Sequence, residues 1–108
     1  VILRDRVARL RASLISAGYG NQAPDWANAT STSYPAAVGP LSSVEDVVDQ
    51  QQTTTRLRLI LPASADVAAA DRIVWAGQTY EIDGEVIAVK RRGRTHHLEA
   101  VLIKVTQG

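Results

Sequence analysis

The chain has 108 residues, no Cys, no Met, no Phe and a formal charge of +1. That length fits one domain, residues 1–108, rather than two, and the missing Cys excludes a disulfide framework, a thiol nucleophile, a zinc finger and an iron–sulfur cluster. No apolar run approaches the roughly 20 residues that span a bilayer, so no membrane association is expected, and no signal peptide is expected from a stretch that alternates charge with apolar residues.

Residues 3–11 carry charge at nearly every second position. Leu3, Asp5 and Val7 fall on one side of a strand-like alternation and Arg4 and Arg6 on the other. A strand is expected, with a short helix as competitor because Ala and Arg favour it. Residues 16–33 are rich in Ser, Gly, Asn, Ala, Pro and Thr, and Gly18-Tyr19-Gly20-Asn21 is turn chemistry. This stretch reads as a long surface loop carrying Trp26. The chain becomes extended around Tyr34–Val38, where Pro35 limits the strand to an edge or its first residues.

Residues 41–54 differ. Ser42 and Glu45 have the spacing of a capping box, and Val44, Val47 and Val48 fall at i, i+3 and i+4. Gln50, Gln51 and Gln52 lead into three Thr. The segment is either a short helix or a mobile loop, and too polar for a central strand.

From Thr53 the pattern is β. Leu57, Leu59 and Leu61 alternate with Arg56, Arg58 and Ile60 up to Pro62. Ala65 to Ala70 form a turn or helical step. Arg72–Trp75 and Thr79–Ile82 flank the turn Ala76-Gly77-Gln78, Asp83-Gly84 makes a turn or bulge, and Val86–Val89 continues as a strand. After the basic turn Arg91-Arg92-Gly93-Arg94, Thr95–Val105 is the last and longest strand, apolar on both faces. The expected fold is all-β: a small antiparallel β-barrel or sandwich with a long loop or short helix between early strands. With no Phe, its core is mostly Val, Ile, Leu and Ala.

The +1 total conceals a partition. Arg4, Arg6, Arg9 and Arg11 against Asp5 give +3 over residues 1–11, and Asp25, Glu45, Asp46 and Asp49 give −4 over 12–53. Three Arg against five carboxylates give −2 over 54–89, and Lys90, Arg91, Arg92, Arg94 and Lys104 against Glu99 give +4 over 90–108. Basic ends and an acidic middle can complement each other within one fold or between copies, as in a ring.

No Ser/His/Asp set announces itself, and no enzyme, cofactor or metal is expected. His96 and His97, adjacent on a strand, are expected on opposite faces, unable to share a metal. Glu81, Asp83 and Glu85 have single-face spacing, but Gly84 interrupts it and no oxygen-rich calcium loop is present. Lys90–Arg94, four cations in five residues, can meet phosphates. No aromatics interleave them for base stacking, and the total charge is low for a dedicated nucleic-acid binder.

An ordered series runs through the chain: Leu3-Arg4-Asp5-Arg6-Val7, Tyr19-Gly20-Asn21, Asp25-Trp26, Tyr34-Pro35-Ala36, Ser43-Val44-Glu45, Asp71-Arg72-Ile73, Trp75-Ala76-Gly77-Gln78-Thr79-Tyr80, Ile82-Asp83-Gly84 and His96-His97-Leu98-Glu99-Ala100. In this series the chain resembles tailed-phage head-completion proteins, the head-to-tail stopper or head-closure family. The resemblance implies a small β-barrel forming a homo-oligomeric ring in the virion neck, assembled in the host cytoplasm. Such a ring lies below the portal and adaptor, retains packaged double-stranded DNA without sequence preference, and docks a tail terminator or tail-completion protein. It implies a channel-gating loop at the position of Ser42, Ser43, Glu45, Asp46, Asp49, Gln50, Gln51, Gln52 and Thr53, a role that the capping box opposes. Arg4, Arg6, Lys90, Arg91, Arg92 and Arg94 are the candidates for subunit or DNA contact. The alternative is a tail-completion or tail-tube β-barrel subunit of the phage.

Overall fold

The computed structural model describes residues 3–18, 20–41 and 56–105. Among the described residues nine strands follow in chain order: β1 (Asp5–Arg11), β2 (Leu14–Gly18), β3 (Asn21–Pro24), β4 (Thr30–Pro40), β5 (Arg56–Pro62), β6 (Arg72–Trp75), β7 (Gln78–Ile82), β8 (Ile87–Arg91) and β9 (Arg94–Lys104). One 3-10 turn, Trp26–Asn28, precedes β4. The ladder order β5-β4-β1-β6-β7-β9 closes on itself through β9–β5 pairing, giving a six-stranded antiparallel barrel.

The barrel forms because its strands alternate. Leu57, Leu59 and Leu61 point inward and are buried, while Arg56 and Arg58 between them are exposed. Opposite them Ala100 and Leu102 of β9 are buried. Val7, Ile73, Tyr80 and Ile82 complete the interior with Ala36 of β4. A small barrel leaves little interior space, and aliphatic side chains with one Tyr fill it. Burying each Leu stabilises the fold by about 2 kcal/mol. The outward residues of β9, Val101 and Ile103, are half-buried.

β9 is longer than any one partner. Its residues 102–104 pair with β7, and 94–99 pair with β8 along the same edge. The interruption is Asp83-Gly84-Glu85-Val86, where Gly84 takes φ +91° and Asp83 N–H donates to Val101 O at 2.8 Å. The β5 ladder reaches only to His97. Residues 94–96 therefore have β8 alone beside them, and the β8–β9 hairpin projects past the barrel wall.

Two expectations are corrected. Residues 16–33 are not one long loop. They hold most of a separate two-stranded arm, β2 against β3, with the Gly18–Asn21 turn at its tip, followed by the 3-10 turn and the start of β4. Both faces of a free hairpin meet solvent, so no buried face imprints alternation on its sequence. Pro35 does not confine β4 to an edge or a beginning. It lies within an 11-residue strand, opposite Arg6, in a stretch flanked by β1 only; pairing with β5 begins at Ala37. A missing N–H costs no ladder bond on an unpaired side.

Candidate functional site

Part of the charge partition resolves among the described residues. On β1, Arg9 and Arg11 follow Val7 on the inward-facing register, and Arg9 is only 8% exposed. Arg9 donates to Asp66 O at 2.8 Å and to Thr32 Oγ1 at 3.0 Å. Arg11 donates to both Asp66 and Asp71. These contacts tie the end of β1 to the 63–71 connection, and they raise the Arg11 pKa above its ordinary value. Beside them Arg72 lies over the Trp26 ring, 4.2 Å from its centroid, so the aromatic residue of the arm's base packs on β6.

Two of the outer carboxylates, Glu81 and Asp83, are matched too. Glu81 pairs with Arg72 at 3.6 Å and Asp83 with Arg56 at 3.4 Å. Among the described residues no group of three or more His, Asp or Glu is placed to hold a metal ion. Glu99 accepts from Arg58 Nε at 3.2 Å and Nη2 at 2.9 Å, diagonally across the β5–β9 ladder.

The expectation that His96 and His97 point to opposite faces is overturned. Their rings meet with Nδ1 atoms 2.7 Å apart and centroids 5.0 Å apart. The cause is a β-bulge. Val89 pairs with His97 but Lys90 pairs with Thr95, so His96 is the extra residue on β9 and the alternation is broken there. His97 Nε2 in turn lies 2.7 Å from Glu99 Oε2. The result is a continuous polar chain from His96 through His97 and Glu99 to Arg58. Hydrogen bonds from Arg58 and then His97 hold the Glu99 carboxyl below the usual carboxylate range.

Of the residues singled out in the sequence, Lys90, Arg91, Arg92 and Arg94 are brought together, all exposed at the tip of the β8–β9 hairpin. Arg92 and Gly93 form its two-residue turn, at φ +55° and +80°. Arg91, Arg92, Arg94, Thr95 and His96 line an open groove of about 590 Å³. None of these cations has a carboxylate within ion-pair distance among the described residues. Arg4 and Arg6 are exposed at the start of β1, with Arg6 donating to Ser33 Oγ at 3.1 Å. The candidate gating residues Ser42 to Thr53 lie outside the described residues. Their segment joins β4 to β5 where Leu41 N–H donates to Arg56 O at 3.1 Å. Arg56 pairs with Ile103 and Pro62 with His97, so β5, about 20 Å long at 3.3 Å per residue, separates that junction from the basic hairpin.

His96 and the Arg58–Glu99–His97 network were missed in the sequence. The spacing of His97 and Glu99 at i and i+2 was a usable signal; the bulge that recruits His96 left none.

The chain is similar in fold to the solution structure of protein SF1141 from Shigella flexneri 2a, with a TM-score of 0.65 and 22% identity, covering 98% of this chain and 96% of that one. It also matches the structure of the phage-like element PBSX protein xkdH from Bacillus subtilis, with a TM-score of 0.45 and 17% identity, over 93% of this chain and 92% of that one. No curated protein matches. Residues 1–103 match the family model described as phage head completion protein, and with nearly the whole chain covered, it belongs to the phage head completion protein family.

Proposed function

We propose that the chain is the ring-forming head-to-tail stopper of a tailed-phage neck. In this reading it lies below the portal and adaptor, closes the channel on packaged double-stranded DNA, and docks a tail terminator or tail-completion protein. The observation that supports it is the uneven matching of charge. Arg9, Arg11, Arg56, Arg58 and Arg72 are satisfied by carboxylates of the same chain. Lys90, Arg91, Arg92 and Arg94 stand together, exposed, on a projecting hairpin.

Such a hairpin serves an acidic face of the next copy, in a heterologous contact that closes into a ring at the right rotation, or the phosphates of the retained duplex. Arg4 and Arg6 are a further exposed pair for a neighbouring subunit. The test is reversal of Arg91, Arg92 and Arg94 to Glu in the phage, with electron microscopy of the neck. Heads that lose DNA or lack tails, and density for the chain between portal and tail in the parent phage, are expected. Filled, tailed particles in normal yield would sink the reading, and a ring attached to tails made without heads would assign a tail-completion role instead.

A further inference from the structure

His96 belongs to two groups at once. Its side chain lines the groove with Arg91, Arg92, Arg94 and Thr95, and its Nδ1 touches His97 Nδ1 at 2.7 Å. That contact holds a single proton, because one nitrogen donates and the other accepts. Two imidazolium rings cannot keep it. His97 Nε2–H donates to Glu99 Oε2 at 2.7 Å, and in that tautomer His97 Nδ1 accepts from His96 Nδ1–H, so a further proton on His96 enters at Nε2 with the contact intact.

We propose that the groove beneath the basic hairpin is a proton-coupled site for the phosphodiester backbone of DNA, in which His96 gains a proton as a phosphate enters. This rests on the DNA-contact reading above and adds to it the residue and the proton.

The charges around His96 decide the sign. From the hairpin it faces Arg91, with Lys90, Arg92 and Arg94 at the tip; from its own strand, His97 and Glu99. From β5 comes Arg58, through Glu99. From the segment before β1, Leu3 shares a recess with His96 and His97. Burial first, then Arg91 and His97, hold the His96 pKa below the ordinary imidazole value. A phosphate in the groove reverses the local field and offers an acceptor to the imidazolium, which raises that pKa in the complex. The complex then binds more protons than the free protein between the two values. Across that window, affinity rises about tenfold for each unit of falling pH when one proton is taken up.

The experiment measures binding of duplex DNA, and separately of inorganic phosphate, to the full chain from about pH 8 to about pH 5 at fixed salt. The chain has no His besides His96 and His97, so the titration has few sources. DNA binding by the parent chain should tighten as pH falls. His96→Asn, folded by circular dichroism, should bind with a flat pH profile, whereas His97→Asn, which keeps the His96 ring in the groove, should retain the rise. An unchanged slope in His96→Asn, or a flat parent profile, overturns the proposal. Proton-coupled binding of phosphate without binding of DNA overturns the assignment to DNA. Failure to bind DNA at every pH overturns the DNA-contact reading itself.

Discussion

Arg11 grips Asp71 across 60 residues of chain with a two-point fork, Nε to Oδ1 at 3.0 Å and Nη2 to Oδ2 at 2.8 Å. Asp71 is 4% exposed, and its Oδ2 also accepts from Ala68 N–H at 2.8 Å. Removing the guanidinium leaves a buried carboxylate with one donor. Breaking a buried pair from one side costs several kcal/mol, and partial exposure of Arg11 reduces this, so Arg11→Met should destabilise by about 2 kcal/mol. Thermal unfolding should show a midpoint lower by about 10 °C. Arg58→Met removes a similar fork from the more exposed Glu99 and should cost under about 1 kcal/mol. Equal losses in the two variants would contradict the role given to burial.

The same carboxylates set the response to acid. Burial pushes the Asp71 carboxyl up, but Arg11 and the Ala68 N–H outweigh it and the net shift is downward. Hydrogen bonds from Arg11 lower Asp66, and those from Arg58 and His97 lower Glu99. In the unfolded chain these groups take up protons around pH 4, before the folded chain does. The unfolded state thus binds more protons in that range, and stability present at neutral pH is lost as pH falls from about 4.5 towards the lowered folded values. Urea midpoints measured down the acid limb should fall, and fall less steeply in Arg11→Met. An equally steep limb in the variant would place the acid sensitivity elsewhere.

The barrel's dependence on its aliphatic interior predicts a contrast within one residue type. Leu59 is fully buried and sits opposite Ala100, whereas Leu14 on the arm is 61% exposed. Leu59→Ala should cost about 3 kcal/mol, a transfer loss plus an unfilled cavity, out of a total of about 5–15 kcal/mol for a domain of this kind. Leu14→Ser should stay within about 0.5 kcal/mol. Chemical unfolding of both decides it; a large loss from Leu14→Ser would mean that the arm packs on the barrel.

Strands that bury one face were legible because burial writes the period into the sequence, as in Leu57, Leu59 and Leu61. So were turns that need positive φ, at Gly77 and Gly93. The arm was not, since neither of its faces is buried. Arg9 was not, because a charged residue on an alternating strand reads as solvent-facing unless its partners are known, and Asp66 lies 57 residues away. The basic hairpin was legible as a charge run. The groove that adds His96 was not, because a one-residue bulge resets the alternation on which the reading of His96 and His97 depended.

Two turns of the same geometry give a final, internally controlled prediction. Ala76-Gly77, between β6 and β7, has φ +52° and +79°, and Arg92-Gly93, between β8 and β9, has +55° and +80°. Both are two-residue hairpins of the type that favours Asn-Gly. A non-Gly side chain without local hydrogen bonding costs about 1 kcal/mol or more in the left-handed region. Ala76→Asn and Arg92→Asn should therefore each raise stability by about 1 kcal/mol. Only Arg92→Asn removes a cation from the basic hairpin, so only it should weaken DNA binding, with the log–log salt slope shallower by about 0.9 for one lost phosphate contact. Melting curves and salt titrations of both variants separate the two effects. Equal stabilisation with unequal salt slopes ties the electrostatic role to the Arg92 side chain rather than to the shape of the turn, and equal salt slopes would remove Arg92 from the DNA contact.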